Sequence, residues 1–214
     1  GKMVVAGYSD NTIGLLRFTT GGVLDSAFGN NGRVNLNLGL DEQGNAVLMQ
    51  SGKILVAGNA TVAGATQFFV CRFNATGVLD AGFGTSGITT TLIGEGATAN
   101  AMGIQSSGKI VLAGTAVVSG QVVFALSRYS SSGVLDNTFG TAGTTYAAIN
   151  TFAAGTALAI DSSNKILVAG FSINGSSHTI AVARFTANGT LDGSFGTSGV
   201  KLIDIPSTDI DQGL

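Results

Sequence analysis

Apolar residues fall in short runs set between glycine-, serine- and asparagine-rich turns, and no stretch shows the 3.6-residue spacing of an amphipathic helix. The clearest runs are Met3-Val4-Val5-Ala6, Ile54-Leu55-Val56-Ala57, Ile110-Val111-Leu112-Ala113 and Ile166-Leu167-Val168-Ala169, each preceded by a lysine and followed by a glycine. Unbroken runs of this length suit a strand buried on both faces, here termed strand B, and the closing glycine reads as its end. Before the last three lie Ala46–Gln50, Ala101–Gln105 and Ala157–Asp161, an Ala- and Gly-rich strand A. The tight hairpin turns Ser51-Gly52, Ser106-Ser107-Gly108 and Ser162-Ser163-Asn164 lead from A to B; the Gly-to-Asn exchange predicts positive φ, which Asn tolerates.

A third strand, C, leads into an arginine and alternates. On one face lie Ile13/Leu15, Phe68/Val70, Phe124/Leu126 and Ile180/Val182; on the other lie Gly14/Leu16, Phe69/Cys71, Ala125/Ser127 and Ala181/Ala183. Apolar residues on both faces predict a sheet covered on both sides by neighbouring sheets. The fourth strand, D, is expected at Val34–Leu38, Ile88–Ile93, Thr144–Ile149 and Val200–Ile205 and carries enough Asn, Thr, Lys and Asp to lie outermost.

The same block therefore occurs four times, at residues 1–51, 52–107, 108–163 and 164–214, and the chain reads as a single repeat domain. Arg17, Arg72, Arg128 and Arg184 each precede an aspartate, Asp25, Asp80, Asp136 or Asp192, by eight residues, and Phe-Gly follows. Eight of the ten basic residues occupy two repeat positions, the arginine and the lysine before strand B. A catalytic constellation is built from unlike residues at one place, so fourfold recurrence predicts a structural role. An arginine beneath large apolar residues needs a partner, which predicts an Arg–Asp pair in each repeat. The fold expected is all-β: a β-propeller-type array of four four-stranded meander repeats, the first blade lacking its inner strand, since strand B opens the chain.

Residues 52–58 and 72–87, Gly-Lys-Ile-Leu-Val-Ala-Gly and Arg-Phe-Asn-Ala-Thr-Gly-Val-Leu-Asp-Ala-Gly-Phe-Gly-Thr-Ser-Gly, carry a resemblance to the bacterial delta-60 tandem repeat family, grouped with the β-propellers. The resemblance covers all four copies. It implies a secreted or surface-exposed bacterial protein, often a long multi-repeat one, and brings no catalytic or ligand residue with it. The chain opens without a methionine and stops where a further strand A would begin, which reads as a window of a longer array or a processed chain. The missing inner strand is then expected from neighbouring repeats or by self-association.

Composition narrows the rest. Charged residues make up 10% of the 214, with a net charge of −2, too sparse for an electrostatic nucleic-acid surface or a disordered tail. No apolar run approaches the roughly 18 residues of a spanning helix, and short strands with three tyrosines and no tryptophan do not fit an outer-membrane barrel.

Candidate chemistry is thin. Cys71, the only cysteine, aligns with Leu16, Ser127 and Ala183 and reads as buried filler; His178, the only histidine, has no acidic cluster around it in sequence. Asp41-Glu42 and Asp204/Asp209/Asp211 lie in D–A connections where calcium ligands gather in other proteins, but their spacing fits no calcium motif and solvated loop charge is the expectation. Neither a hydrolase elbow nor a phosphate-cradling loop occurs, so no catalytic, cofactor or metal residue is assigned. Sequons at Asn59, Asn74, Asn174 and Asn188 are expected in loops or turns. The B–C segments Tyr8–Asn11, Asn59–Thr66, Thr115–Gly120 and Phe171–Ser177 differ most between copies and are the expected binding loops, if a ligand is bound. The function expected is a non-enzymatic extracellular or cell-surface structural or interaction module, conceivably polymerising. The rival is a lectin-like propeller binding a surface glycan through those loops.

Overall fold

The computed structural model describes residues 1–10, 12–37 and 41–204. These form fifteen β-strands, with no helix among the described residues. The first repeat supplies β1 (Met3–Ser9), β2 (Thr12–Phe18) and β3 (Arg33–Leu36). The second supplies β4 (Gln43–Gln50), β5 (Lys53–Val62), β6 (Ala65–Phe73) and β7 (Ile88–Thr91). The third supplies β8 (Gly96–Ile104), β9 (Ile110–Val118), β10 (Gln121–Tyr129) and β11 (Thr144–Ala147). The fourth supplies β12 (Phe152–Ile160), β13 (Ile166–Asn174), β14 (Ser177–Phe185) and β15 (Val200–Ile203). Each repeat is an antiparallel meander, and a single parallel pair, Val122 with Phe152, links the last two into one sheet.

The expected order A-B-C-D holds in repeats two to four, and repeat one has B, C and D only. Small residues suit β4, β8 and β12 to their place at the inner edge, where side chains tie one repeat to the next. Asn45 Nδ2 donates to the Ala99 carbonyl at 3.0 Å and Asn100 Nδ2 to the Gly155 carbonyl at 2.7 Å.

The core lies between the sheets. Along β5, Ile54 and Val56 enter the cluster shared with Ile13 and Leu15 of repeat one, whereas Leu55 and Ala57 enter the cluster shared with Ile110 and Leu112 of repeat three. The pleat repeats the division on β6, with Phe69 and Cys71 on the first side and Phe68 and Val70 on the second. A third cluster, including Val111, Phe124, Val168 and Ala183, joins repeats three and four. Period-two alternation with both faces apolar thus yields a stack of sheets in which each interior sheet is filled from both sides.

Strand extents depart from expectation. Strand B does not stop at its glycine: β5, β9 and β13 run four residues past Gly58, Gly114 and Gly170. The neighbouring inner strand has a bulge there, at Gly44/Ala46, Ala99/Ala101 and Gly155/Ala157. The bulge brings a carbonyl so close that a Cβ on Gly58 would stand 1.7 Å from the Gln43 oxygen, and one on Gly114 2.0 Å from that of Thr98. Glycine is required for backbone approach, not for a turn. The inner strands also begin earlier than expected because they continue through the bulge. Strand D is shorter, four residues in each repeat; Leu38 and Ile205 lie outside the described residues.

The expected B–C loops are mostly strand. Val62 pairs with Ala65, Val118 with Gln121 and Asn174 with Ser177, leaving two-residue hairpin turns such as Ala63-Gly64 and Ser119-Gly120, all four of whose residues have positive φ. Ser9 pairs with Thr12 likewise. The A–B turns form as expected, with Gly52, Gly108 and Asn164 at φ of 80°, 80° and 61°.

Candidate functional site

The residues shared by all four repeats meet in one cluster per repeat. Strand C ends at the arginine, the chain turns, and the backbone returns beside it: Asp80 N–H donates to the Arg72 carbonyl at 2.7 Å, with matching bonds at Asp25, Asp136 and Asp192. This return places the aspartate next to the arginine despite the eight-residue separation. The Nε of Arg17, Arg72, Arg128 and Arg184 lies 2.7–2.8 Å from its aspartate. The lysine before strand B reaches the same carboxylate oxygen from the other side, at 2.6 Å for Lys2 and Lys53, 2.8 Å for Lys109 and 2.7 Å for Lys165. Each arginine also lies over the ring of the phenylalanine that follows, at 4.5–4.8 Å from Phe28, Phe83, Phe139 or Phe195.

Two cations around one carboxylate hold all four aspartates below the usual carboxylate range. For Asp25, Asp80 and Asp192 the leading cause is the lysine hydrogen bond, from Lys2, Lys53 and Lys165. At Asp136 burial pushes upward most strongly, but is outweighed by hydrogen bonds from Lys109 and Thr138.

The cluster reaches across to the next repeat. Arg72 donates to the Ser131 carbonyl at 2.7 Å, Arg128 to that of Ala187 at 2.6 Å, and Arg17 to that of Ala75. In parallel, Gly29 N–H donates to the Thr76 carbonyl at 2.8 Å, Gly84 N–H to Ser132 at 2.7 Å and Gly140 N–H to Asn188 at 2.9 Å. Two buried glutamines complete the joint. Gln50 accepts from Arg72 at 2.9 Å and donates to the Gly108 carbonyl, and Gln105 donates to the carbonyls of Asn164 and Ala187. The tip of the next repeat's turn sits on the phenylalanine: a Cβ on Gly133 would stand 2.6 Å from the Phe83 ring, and one on Gly189 2.8 Å from that of Phe139. The arrangement is a clasp made of charge-assisted bonds, whose chemical use is adhesion between sheets.

The expected Arg–Asp pairs are therefore present in every repeat. The lysine's part, the ring contact and the reach into the next repeat went unforeseen; the signal available was that lysine, arginine, aspartate and phenylalanine recur together in fixed register.

The remaining candidates stay scattered. Cys71 is wholly buried on β6, and burial pushes its thiol well above the ordinary range. His178 is half-buried on β14, paired with Ile173. Asp41 and Asp204 are exposed, and Asp209 and Asp211 lie outside the described residues. Glu42 corrects the expectation of solvated loop charge, for it is fully buried. Its repeat equivalents Ala97 and Ala153 are buried too, so the carboxylate occupies a slot the other repeats fill with a methyl group. Among the described residues no three His, Cys, Asp or Glu side chains gather as metal ligands. Of the sequons, Asn59 lies within β5 and is buried, whereas Asn174 and Asn188 are exposed. No helix is long and apolar enough to cross a membrane.

Four-stranded antiparallel meanders stacked face to face, small-residue strand innermost, are the blades of a β-propeller-type repeat protein. A family described as a beta-propeller domain of unknown function (DUF5122) matches residues 1–28, 50–83, 105–139 and 162–195, more than half of the chain, and the chain belongs to it. Each matched segment ends on the clasp phenylalanine. No curated protein matches the chain.

Proposed function

We propose that the chain is a non-enzymatic structural and interaction module of the delta-60 tandem-repeat kind, displayed outside a bacterial cell and polymerising through its repeats. The observation that carries this is the use of the repeated chemistry: the lysines and arginines that dominate the charge of the chain all bond their own aspartate, and three of the four arginines also bond the following repeat. A frame stapled in this way favours mechanical and proteolytic persistence over turnover of a substrate.

The incomplete first repeat supports the interaction half of the reading. β1 pairs with β2 alone, and Gly7, the equivalent of Gly58, has no atom within 4 Å of where a Cβ would stand. An open strand edge beside an unfilled approach glycine suits strand addition, with a neighbouring repeat supplying the inner strand. The lectin-like rival needs long variable loops, and the B–C connections are two-residue turns.

The test is protease shaving of intact cells producing the protein, followed by peptide mapping. Release of peptides from the turns around Val78, Val134 and Asn174 without lysis is expected. Protection until lysis contradicts the surface reading, and saturable binding on a glycan array would favour the rival.

A further inference from the structure

The two ends of the array carry the two halves of one clasp. Repeat four has the receiving half: Arg184 bonded to Asp192, Phe195 under the guanidinium at 4.8 Å, and the Gly196 amide at the position of Gly29, Gly84 and Gly140. Among the described residues nothing occupies it. Phe195 is half-buried, whereas Phe28, Phe83 and Phe139 are fully buried, and the Arg184 side chain is 23% exposed against 3% for Arg128. Behind it, Leu167, Ala169, Ile180 and Val182 form a half-buried apolar face whose counterparts Leu55, Ala57, Phe68 and Val70 are covered completely.

Repeat one has the entering half. Thr20 and Gly21 correspond to Ala75 and Thr76, whose carbonyls accept from Arg17 and from Gly29 N–H. Gly22 has φ +77°, matching +90° at Gly77 and +84° at Gly133, yet no atom lies within 4 Å of its Cβ position. The face beside it is open: Met3 is 57% and Val5 44% exposed, where the corresponding Ile54 and Val56 are buried.

We propose that a second copy of this chain docks head to tail, its Thr19–Gly22 turn and β1–β2 face seating on Arg184, Phe195 and the β13–β14 face of the first. This names the partner in the polymerising module proposed above and rests on that reading. The joint formed three times inside the chain states what this surface accepts, namely a glycine-tipped turn presenting two carbonyls beside an apolar sheet. A contact between unlike faces is heterologous, and it propagates or closes into a ring according to the rotation between copies.

Two variants test this, each blocked at one end: Val5→Glu at the entering face and Val182→Glu at the receiving face, with Phe195→Ala replacing the latter if it fails to fold. Folding is checked by far-ultraviolet circular dichroism, and mass is read by sedimentation velocity over a concentration series. The wild-type chain is expected to form dimers and larger species as concentration rises. Each variant alone is expected to stay monomeric, and their equimolar mixture to give a species of twice the monomer mass and no larger. A wild-type chain monomeric throughout, the result if another chain covers these faces, overturns the proposal. So does a mixture that stays monomeric, or one variant assembling alone, which would mean a like-to-like contact. Such a failure leaves the surface reading standing, whereas a protein found only inside cells removes that reading and leaves the assembly result intact.

Discussion

Removing the Arg72 guanidinium is expected to weaken the array far more than removing that of Arg184. Arg72 bonds Asp80 at 2.7 Å, Gln50 at 2.9 Å and the Ser131 carbonyl of the next repeat at 2.7 Å, and its residue is 9% exposed. In Arg72→Met, Lys53 still neutralises Asp80, but the glutamine oxygen and the Ser131 carbonyl lose their donor in a buried joint. Breaking a buried pair by removing one partner costs about 3–5 kcal/mol. Arg184 bonds Asp192 and Ser194 only, at a more exposed site, so Arg184→Met should cost about 1–2 kcal/mol, as for single hydrogen bonds to charged groups. For a chain of this length that separates the two melting points by roughly 4–12 °C. The assay is guanidinium unfolding followed by far-ultraviolet circular dichroism at low protein concentration. Because each repeat contacts its neighbours alone, Arg72→Met should also split the transition as the two halves uncouple. Equal losses for the two variants, or a single unbroken transition in both, would refute the claim that this arginine staples one repeat to the next.

Other outcomes follow from the same geometry. The four clasp aspartates have folded values below the ordinary aspartate value of about 3.9, so between those limits the unfolded chain binds more protons. Stability should therefore be full above that value and fall steeply as acid is added through it, as read by chemical denaturation at stepped pH; stability that rises on acidification would contradict the clasps. Gly58→Ala drives a Cβ into the Gln43 carbonyl and should cost about 3 kcal/mol or more through forced separation of β4 and β5, whereas Gly7→Ala, in open space with ordinary φ, should change stability by less than about 1 kcal/mol. The Cys71 thiol should resist Ellman's reagent in the native protein and react fully in denaturant; rapid native reaction would mean that the β6 interior opens readily.

Much of this architecture was legible in the sequence because it is written four times. Alternation along Phe68-Phe69-Val70-Cys71 foretold a sheet covered on both faces, and the Arg–Asp spacing foretold the ion pairs. What escaped depended on pairing between strands. Gly58 looks like a strand end until the bulged neighbour across from it is known, and Asn59–Thr66 looks like a loop until Val62 is seen opposite Ala65. Lys53 stands 27 residues from Asp80, a separation that means nothing until the meander folds the two together. Glu42 was misplaced because its charge suggested solvent, although the alanines in its repeat equivalents marked a buried slot.

Amide hydrogen exchange, resolved at single residues on a dilute monomeric sample, probes the clasp most directly. Gly29, Gly84 and Gly140 donate their N–H groups to the following repeat, and Gly196 occupies the same place with no described acceptor. The account predicts strong protection at the first three and fast exchange at Gly196. Uniform exchange at all four glycines would contradict it, because the repeats would then not be joined through these turns.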